Sequence, residues 1–322
     1  VIPYYNKGMI KITCQHDQTK KHGKDRQGNP RVRCTLCGKT MTIVDRPLGD
    51  MRTSLKDAAT VLSLLLEGMS VRGASRVTGL KANTICDLIL TVGQNCERFL
   101  ESTVRGVAAE DVQCDELWSF VGMKERQRKL GNFTGEEGDH WTFIAIERNT
   151  KLVLAHHVGQ REGRSCETFC RKLFNATVGR FQISTDGLGS YTLNIPFIFR
   201  GEVDFGQLIK NFAASQSTVR YSPAKIINSE KRAMYGNPEH DRICTSHVER
   251  LNLTIRMTLR RFTRLTNAHS KSLKHHKAMQ AIFFAWYNFC RKHEAIKQTP
   301  AMAAGLAARV LRLQELIELA GA

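Results

Sequence analysis

Residues 111–121 read DVQCDELWSFV, a run rich in β-formers with partial alternation of apolar and polar positions. It predicts a strand. Asp115 lies inside it, where a carboxylate is costly unless it has a partner or a metal. Working outward, WTFIAIE (141–147) and KLVLAHHV (151–158) read as two more strands, joined by the turn residues Arg148, Asn149 and Thr150. Residues 165–177 read as a helix. FQISTD (181–186) reads as a short buried strand ending in Asp186, followed by a weak helix toward Gly201, and VDFGQLI (203–209) as a further strand. From Thr245 to Arg264 the period becomes helical, and Val248, Leu251, Ile255, Leu259 and Phe262 form one apolar stripe. Three strands, helix, strand, helix, strand, helix is the order of a mixed α/β layer fold.

The region before residue 107 is of another kind. Residues 10–45 are rich in Lys, Arg, Gly and Thr with few large apolar side chains. Such a segment cannot build a core alone and needs a staple, often a metal. Cys34-Thr-Leu-Cys37-Gly is the form of a zinc knuckle, in which a tight turn aims two thiolates at one point. The matching first half reads Cys14-x-x-Asp17, so Cys14, Asp17, Cys34 and Cys37 are the expected Zn²⁺ ligands, with His16 or His22 as substitutes for Asp17. Arg46 to Arg52 (RPLGDMR) reads as a linker. Ser54 then caps a helix, and two short helices follow, Val71 to Val77 and Asn83 to Leu90, separated at Gly79. That is a helix-turn-helix pattern, with Lys81, Asn83 and Thr84 at the start of the helix that would enter the major groove.

The 322 residues carry 48 Lys+Arg against 30 Asp+Glu, a formal net charge of +18. Residues 1–53 hold +7 and 206–300 hold +12, while 107–205 hold −2. Two basic blocks around a nearly neutral middle point to a polyanion partner, most simply nucleic acid. With 42% hydrophobic residues the chain can bury a sizeable core, which excludes a wholly disordered basic tail. No run reaches the roughly 18 apolar residues of a membrane span, and the N-terminal stretch has no signal-peptide h-region. The ten cysteines show no secretory disulfide framework, so a reducing, cytoplasmic setting is expected.

Three acids stand out by position: Asp115, Asp186 and Glu249, separated by 71 and 63 residues. Glu249 projects about 120° from the apolar stripe of its helix, in the direction of Asn252, Arg256 and Arg260. A face with one acid and then cations can hold a metal beside a phosphate. Attack on a phosphodiester needs an activated oxygen nucleophile, a stabilised leaving oxygen and neutralised charge, which two hard cations on carboxylates supply. Glu116, next to Asp115, is expected on the opposite strand face with a structural role. Arg256, Arg260 and Arg261 are the first candidates for DNA phosphate contacts, followed by Lys210, Lys225 and Arg232.

RCTLCGKT, GMSVRGASRVTG, CDELWSFVGMKER, AIERNTKLVLAHHVG, TDG, SHVERLNLTIRMTLRRFTRLTNAHSK and YNFCRKHEAIKQTPAMAAGL, in this order, closely resemble the insertion sequence 1 family of bacterial DDE transposases in single-chain form. The resemblance spans nearly the whole chain. It implies an RNase H-like catalytic domain, a mixed sheet with flanking helices, in which Asp115, Asp186 and Glu249 hold two Mg²⁺ (or Mn²⁺) ions. It also implies an N-terminal zinc finger and a helix-turn-helix that bind the element's terminal repeats. The family's finger carries two C-x-x-C pairs, and here only one is intact. The corresponding organisation is a finger over 1–46, a helix-turn-helix domain over 54–106, a catalytic domain over 107–300 with a basic insertion near 206–244, and a C-terminal helix over 301–322. The expected activity is DNA cleavage and strand transfer in a cytoplasmic, nucleoid-associated protein that acts as a homo-oligomer on double-stranded transposon ends and target DNA, with no membrane partner. The alternatives are a DNA-binding regulator with an inactive nuclease-like domain, and an RNase H-like nuclease or resolvase that cuts without joining.

Overall fold

The computed structural model describes residues 14, 16–26, 30–42, 47–131, 133, 135–212, 226–263 and 266–322. Lys225, Arg46 and Arg264, named above, lie outside the described residues. The chain divides into two compact units, Val1–Arg46 and Pro47–Ala322.

In the first unit β1 (Thr19–Lys24), β2 (Pro30–Cys34) and β3 (Thr40–Thr42) form an antiparallel three-stranded sheet in that order. Among its described residues Cys34 is the buried hydrophobic one, so apolar burial contributes little to this unit. Gly38, at φ 73°, lets the turn after Cys34 close back on the strand, with its N–H on the Cys34 carbonyl at 3.0 Å.

The second unit begins with α1 (Leu55–Leu66), capped by Ser54, whose Oγ accepts from Asp57 N–H at 3.1 Å. Next come α2 (Val71–Thr78), capped by Ser70 and stopped by Gly79 at φ 75°, and α3 (Ala82–Thr103). A two-residue strand β4 (Val107–Ala108) leads into β5 (Asp111–Val121). Then follow α4 (Glu125–Leu130), β6 (Gly138–Glu147), β7 (Val153–Gly159), α5 (Gly163–Ala176), β8 (Thr177–Val178), β9 (Phe181–Thr185) and α6 (Gly189–Phe199). The chain ends with β10 (Val203–Phe212), β11 (Ile226–Tyr235), α7 (Ser246–Thr258), α8 (Leu273–Phe289), α9 (Pro300–Ala303) and α10 (Leu313–Gly321).

The main sheet has the order β11-β10-β9-β5-β6-β7. β5, β6 and β7 form an antiparallel meander, β9 and β10 add parallel, and β11 closes the edge antiparallel. Successive side chains on β5 go to opposite faces. Gln113, Asp115 and Ser119 meet α7 and α8, where Gln113 Oε1 accepts from His247 N–H at 2.8 Å and Ser119 Oγ lies 3.0 Å from His276 Nε2. On the other face Phe143, Phe169 and Tyr191 stack between the sheet, α5 and α6. This is a mixed α/β fold with helices on both sides of a mixed sheet. Among the described residues no helix is long and apolar enough to cross a membrane.

Three boundaries differ from the sequence reading. The helix starting at Asn83 does not stop at Leu90 but runs to Thr103, because α3 lies along α8, and residues 54–106 therefore belong to the same compact unit as the sheet. The long amphipathic helix expected to reach Arg264 ends at Thr258, where Leu259 turns extended. The C-terminal helix is two short ones, broken at Gly305 (φ 72°).

The α3–α8 contact is close at Gly93, where an added Cβ would sit 2.5 Å from Ala278 Cβ and 2.6 Å from its backbone Cα and O. Gly→Ala inside a helix ordinarily stabilises by about 0.5–1 kcal/mol. Gly93→Ala is expected instead to destabilise by about 1–3 kcal/mol, since two backbones must part. Urea denaturation gives the sign directly, and a stabilised variant would contradict the packing described.

Candidate active site

Parallel pairing between β5 and β9 ends at Gln113↔Ser184. β9 continues against β10 through Thr185↔Gln207 while β5 runs on against β6, so the two strands part. A crevice opens where that pairing ends, two residues before Asp115 on β5 and two before Asp186 after β9. Asp115 and Asp186 flank it. Asp186 follows β9 directly and is fixed by its own turn: its Oδ1 accepts Leu188 N–H at 3.0 Å, and Gln207 Nε2 donates to the Asp186 carbonyl at 2.8 Å. Asp115 Oδ1 accepts Glu116 N–H at 2.8 Å, and its Oδ2 accepts Asn252 Nδ2 from α7 at 2.7 Å. Asn252 Oδ1 is buried with no hydrogen-bond partner.

One oxygen each from Asp115, Glu116 and Asp186 lies within 4.8 Å of the others. Glu116, expected on the opposite strand face, is the third member of this group. Its side chain does lie on the face opposite Asp115, near Tyr191, yet the gap left by β9 lets its carboxylate reach the same cluster. Arg161 bonds Glu116 Oε2 from Nε (3.2 Å) and Nη2 (3.1 Å), and Nη2 lies 3.4 Å from Asp186 Oδ2. Burial, and then the Asp186 charge, push Asp115 and Glu116 each up to about 7. The crevice is therefore acidic and electrostatically loaded, which suits a hard divalent cation with oxygen ligands.

Glu249, in the first turn of α7, lies outside this 4.8 Å group but near enough to add to the charge felt by Asp115. Its carboxylate is held by Lys210 and by Thr245 Oγ1 at 2.7 Å. The cations named from sequence divide. Arg256 lies in the last turn of α7, half-buried, while Arg260 is exposed but past the end of the helix, so it does not continue the Glu249 face. Arg261 is tied locally: Nη1 donates to His275 O at 2.8 Å and Ser270 Oγ at 3.2 Å, and burial lowers its guanidinium to about 10. Arg232 pairs with Glu230 at 2.7 Å. At the start of α3, Lys81 and Asn83 are exposed and Thr84 is half-buried.

A second cluster lies in the first unit. Cys14, His16, Cys34 and Cys37 bring one ligand atom each within 4.8 Å of the others. His16, not Asp17, is the fourth member, and its φ of 61° turns the chain so that Nδ1 comes 3.3 Å from Cys37 Sγ. Cys14 Sγ and Cys34 Sγ are 3.6 Å apart. Bond lengths of about 2.3 Å to sulfur imply tetrahedral S–S edges of about 3.8 Å, so these donors fit a closed zinc-type site. The Cys37 backbone N–H, and then His16, lower the Cys34 thiol to about 6, favouring the thiolate.

The fold and site define a mixed α/β protein with an acidic crevice between two parallel strands and a separate cysteine–histidine cluster. No family model matches the chain. It is 25% identical over 177 residues to the insertion element iso-IS1n protein InsB of Shigella dysenteriae, an alignment covering 55% of this chain and 95% of that protein. A solved piggyBac transposase synaptic complex with hairpin DNA aligns with 85% of this chain and 73% of its own, at 10% identity and a TM-score of 0.36, a likeness too loose to give any residue a role.

Proposed function

We propose that this chain is a DNA transposase of insertion-sequence type, which cleaves at transposon ends and joins the freed 3′-hydroxyl to target DNA. One observation carries the proposal: the carboxylates of Asp115 and Asp186 converge just past the point where the parallel pairing of β5 and β9 ends, with Glu249 near enough on α7 to act on Asp115. The insertion-element relative supports it. The meander extended by two parallel strands supports the RNase H-like reading of the sheet.

In this reading Asp115, Asp186 and Glu249 would hold the Mg²⁺ (or Mn²⁺) ions, Glu249 after parting from Lys210. The bound ions would supply charge neutralisation at phosphorus and an activated oxygen nucleophile. Asn252 fixes the Asp115 carboxylate, and Gln207 fixes the turn that presents Asp186. Lys81, Asn83 and Thr84 contact the end sequence, Arg256 and Arg260 the phosphates, and two copies of the chain hold two ends. The test is a strand-transfer assay with Mg²⁺ and terminal-repeat duplex. Joined product supports the reading, nicking without joining favours a nuclease, and binding without either favours a regulator.

The first unit is a Zn²⁺ finger in the same reading, with Cys14, His16, Cys34 and Cys37 as ligands. Elemental analysis of the purified chain is expected to give about one zinc, as a closed four-ligand site requires. His16→Ala should release it, and Asp17→Ala should leave it in place. Zinc retained by His16→Ala and lost by Asp17→Ala would restore Asp17 as the ligand.

A further inference from the structure

We propose that Glu116 is a fourth carboxylate of the metal site and that Arg161 is its built-in counter-ion, exchanged for a divalent cation and then turned to a DNA phosphate. The inference rests on the metal-site reading above and extends it to two residues on the far face of β5.

An ordinary buried ion pair satisfies both carboxylate oxygens. Here Arg161 spends two N–H groups on one oxygen, Glu116 Oε2. Oε1 is buried without a hydrogen-bond partner, in a side chain that is 1% exposed. Tyr191 Oη, close enough to favour the charged form of Glu116, is itself buried and makes no hydrogen bond of good geometry. Glu116 thus joins a cluster of acids with its buried charge incompletely met by hydrogen bonds, which a cation would relieve. Once Arg161 leaves, the three carboxylates carry up to three negative charges, which favours a divalent cation in its place, while Lys210 already pairs with Glu249.

Arg161 is built to leave. It sits in the loop between β7 and α5, its side chain is 40% exposed, and its guanidinium lies 4.9 Å from the centroid of the Trp141 ring. A guanidinium can slide over an aromatic face without losing the cation–π attraction, and its planar fork suits a phosphate. A cation that takes over Glu116 and Asp186 would release Arg161 toward solvent at the mouth of the crevice, where a DNA backbone would pass. Cation and DNA binding are then coupled through one side chain.

The experiment measures Mn²⁺ affinity by calorimetry and duplex affinity by fluorescence anisotropy, with and without Mn²⁺, on the full chain. Glu116→Gln is expected to weaken Mn²⁺ binding about tenfold or more. Arg161→Ala should tighten it by up to about tenfold, because a competing positive charge is gone. In the parent, Mn²⁺ should strengthen duplex binding, and in Arg161→Ala that gain should vanish. Arg161→Lys keeps the charge without the fork and should recover the parent Mn²⁺ affinity but not the gain. Thermal melts establish that each variant is folded. Unchanged Mn²⁺ affinity in Glu116→Gln and Arg161→Ala would overturn the proposal, as would an intact Mn²⁺-dependent gain in Arg161→Ala. Asp115→Asn separates the two readings: if it loses Mn²⁺ and Glu116→Gln does not, only the present inference fails, and if neither loses Mn²⁺ the metal site itself is wrong.

Discussion

Asp186→Asn is expected to abolish DNA cleavage and strand transfer, with a drop of at least about 10³-fold, or about 4 kcal/mol of transition-state stabilisation. The substitution is chosen for what it preserves. Asn keeps an oxygen for the Leu188 N–H, and the Gln207 contact is to the Asp186 carbonyl, which does not change. The turn after β9 therefore stays in place while the negative charge disappears. Because the site crowds several carboxylates, removing one should leave the folded state as stable as the parent or slightly more so. Cleavage of terminal-repeat oligonucleotides in Mg²⁺, together with a thermal melt, separates chemistry from folding. Activity within tenfold of the parent in a folded Asp186→Asn protein would remove Asp186 from the metal site and the transposase proposal with it.

Much of this site was legible because burial is costly for a carboxylate. Asp115 within an apolar strand and Asp186 at the end of one are signals that a single sequence carries. Glu116 was not legible, since strand alternation alone puts it on the other face, and only the divergence of β5 from β9 after Gln113↔Ser184 brings its oxygen back. His16 stood only as a substitute for Asp17 for a related reason. The positive φ that aims it at Cys37 is a property of the folded turn, not of the spacing Cys14-x-x-Asp17. The strands of the main sheet were readable from β-formers and turn residues, apart from β11. α8 was not, because it is apolar nearly all round and lacks the one-sided stripe that marks a surface helix. The length of α3 was equally hidden, being set by its packing on α8 rather than by its own propensity. Arg261 illustrates the limit of charge counting. It sits in the basic block, yet its Nη1 is bonded to the His275 carbonyl and Ser270 Oγ.

Asp115→Asn is expected to stabilise the cation-free protein, by an amount that grows with pH. Asp115 in the folded chain is pushed up to about 7, mainly by burial and then by the Asp186 charge. In the unfolded chain it sits near about 3.9. Between these values the folded state binds the extra proton, so stability falls as pH rises from about 4 through about 7, the reverse of the usual salt-bridged carboxylate. Below pH 4 the acid is protonated in both states and the penalty is absent. Above pH 7 it is charged in both and the penalty is complete. Buried histidines act in the other direction: His157 is lowered to about 4, so its contribution is present above about 6.5 and lost as pH falls toward 4. That term is common to parent and variant and cancels in their difference. The advantage of Asp115→Asn over the parent should therefore grow from about 1 kcal/mol at pH 5 to about 2–4 kcal/mol at pH 8. This corresponds to roughly 5–15 °C in Tm for a unit of this size. Millimolar Mn²⁺ at pH 8 should close the gap from the parent's side. An ion held at 100 times its Kd contributes about 2.7 kcal/mol, and only the chain that keeps Asp115 can use it fully. Melting curves at pH 5 and pH 8, in chelator and in Mn²⁺, test both halves. If the parent and Asp115→Asn melt together at pH 8 in chelator, Asp115 is not held charged at a cost. If Mn²⁺ then stabilises both chains equally, the ion does not depend on Asp115. A gap that opens with pH and closes with Mn²⁺ ties the folding energetics and the chemistry to the same carboxylate.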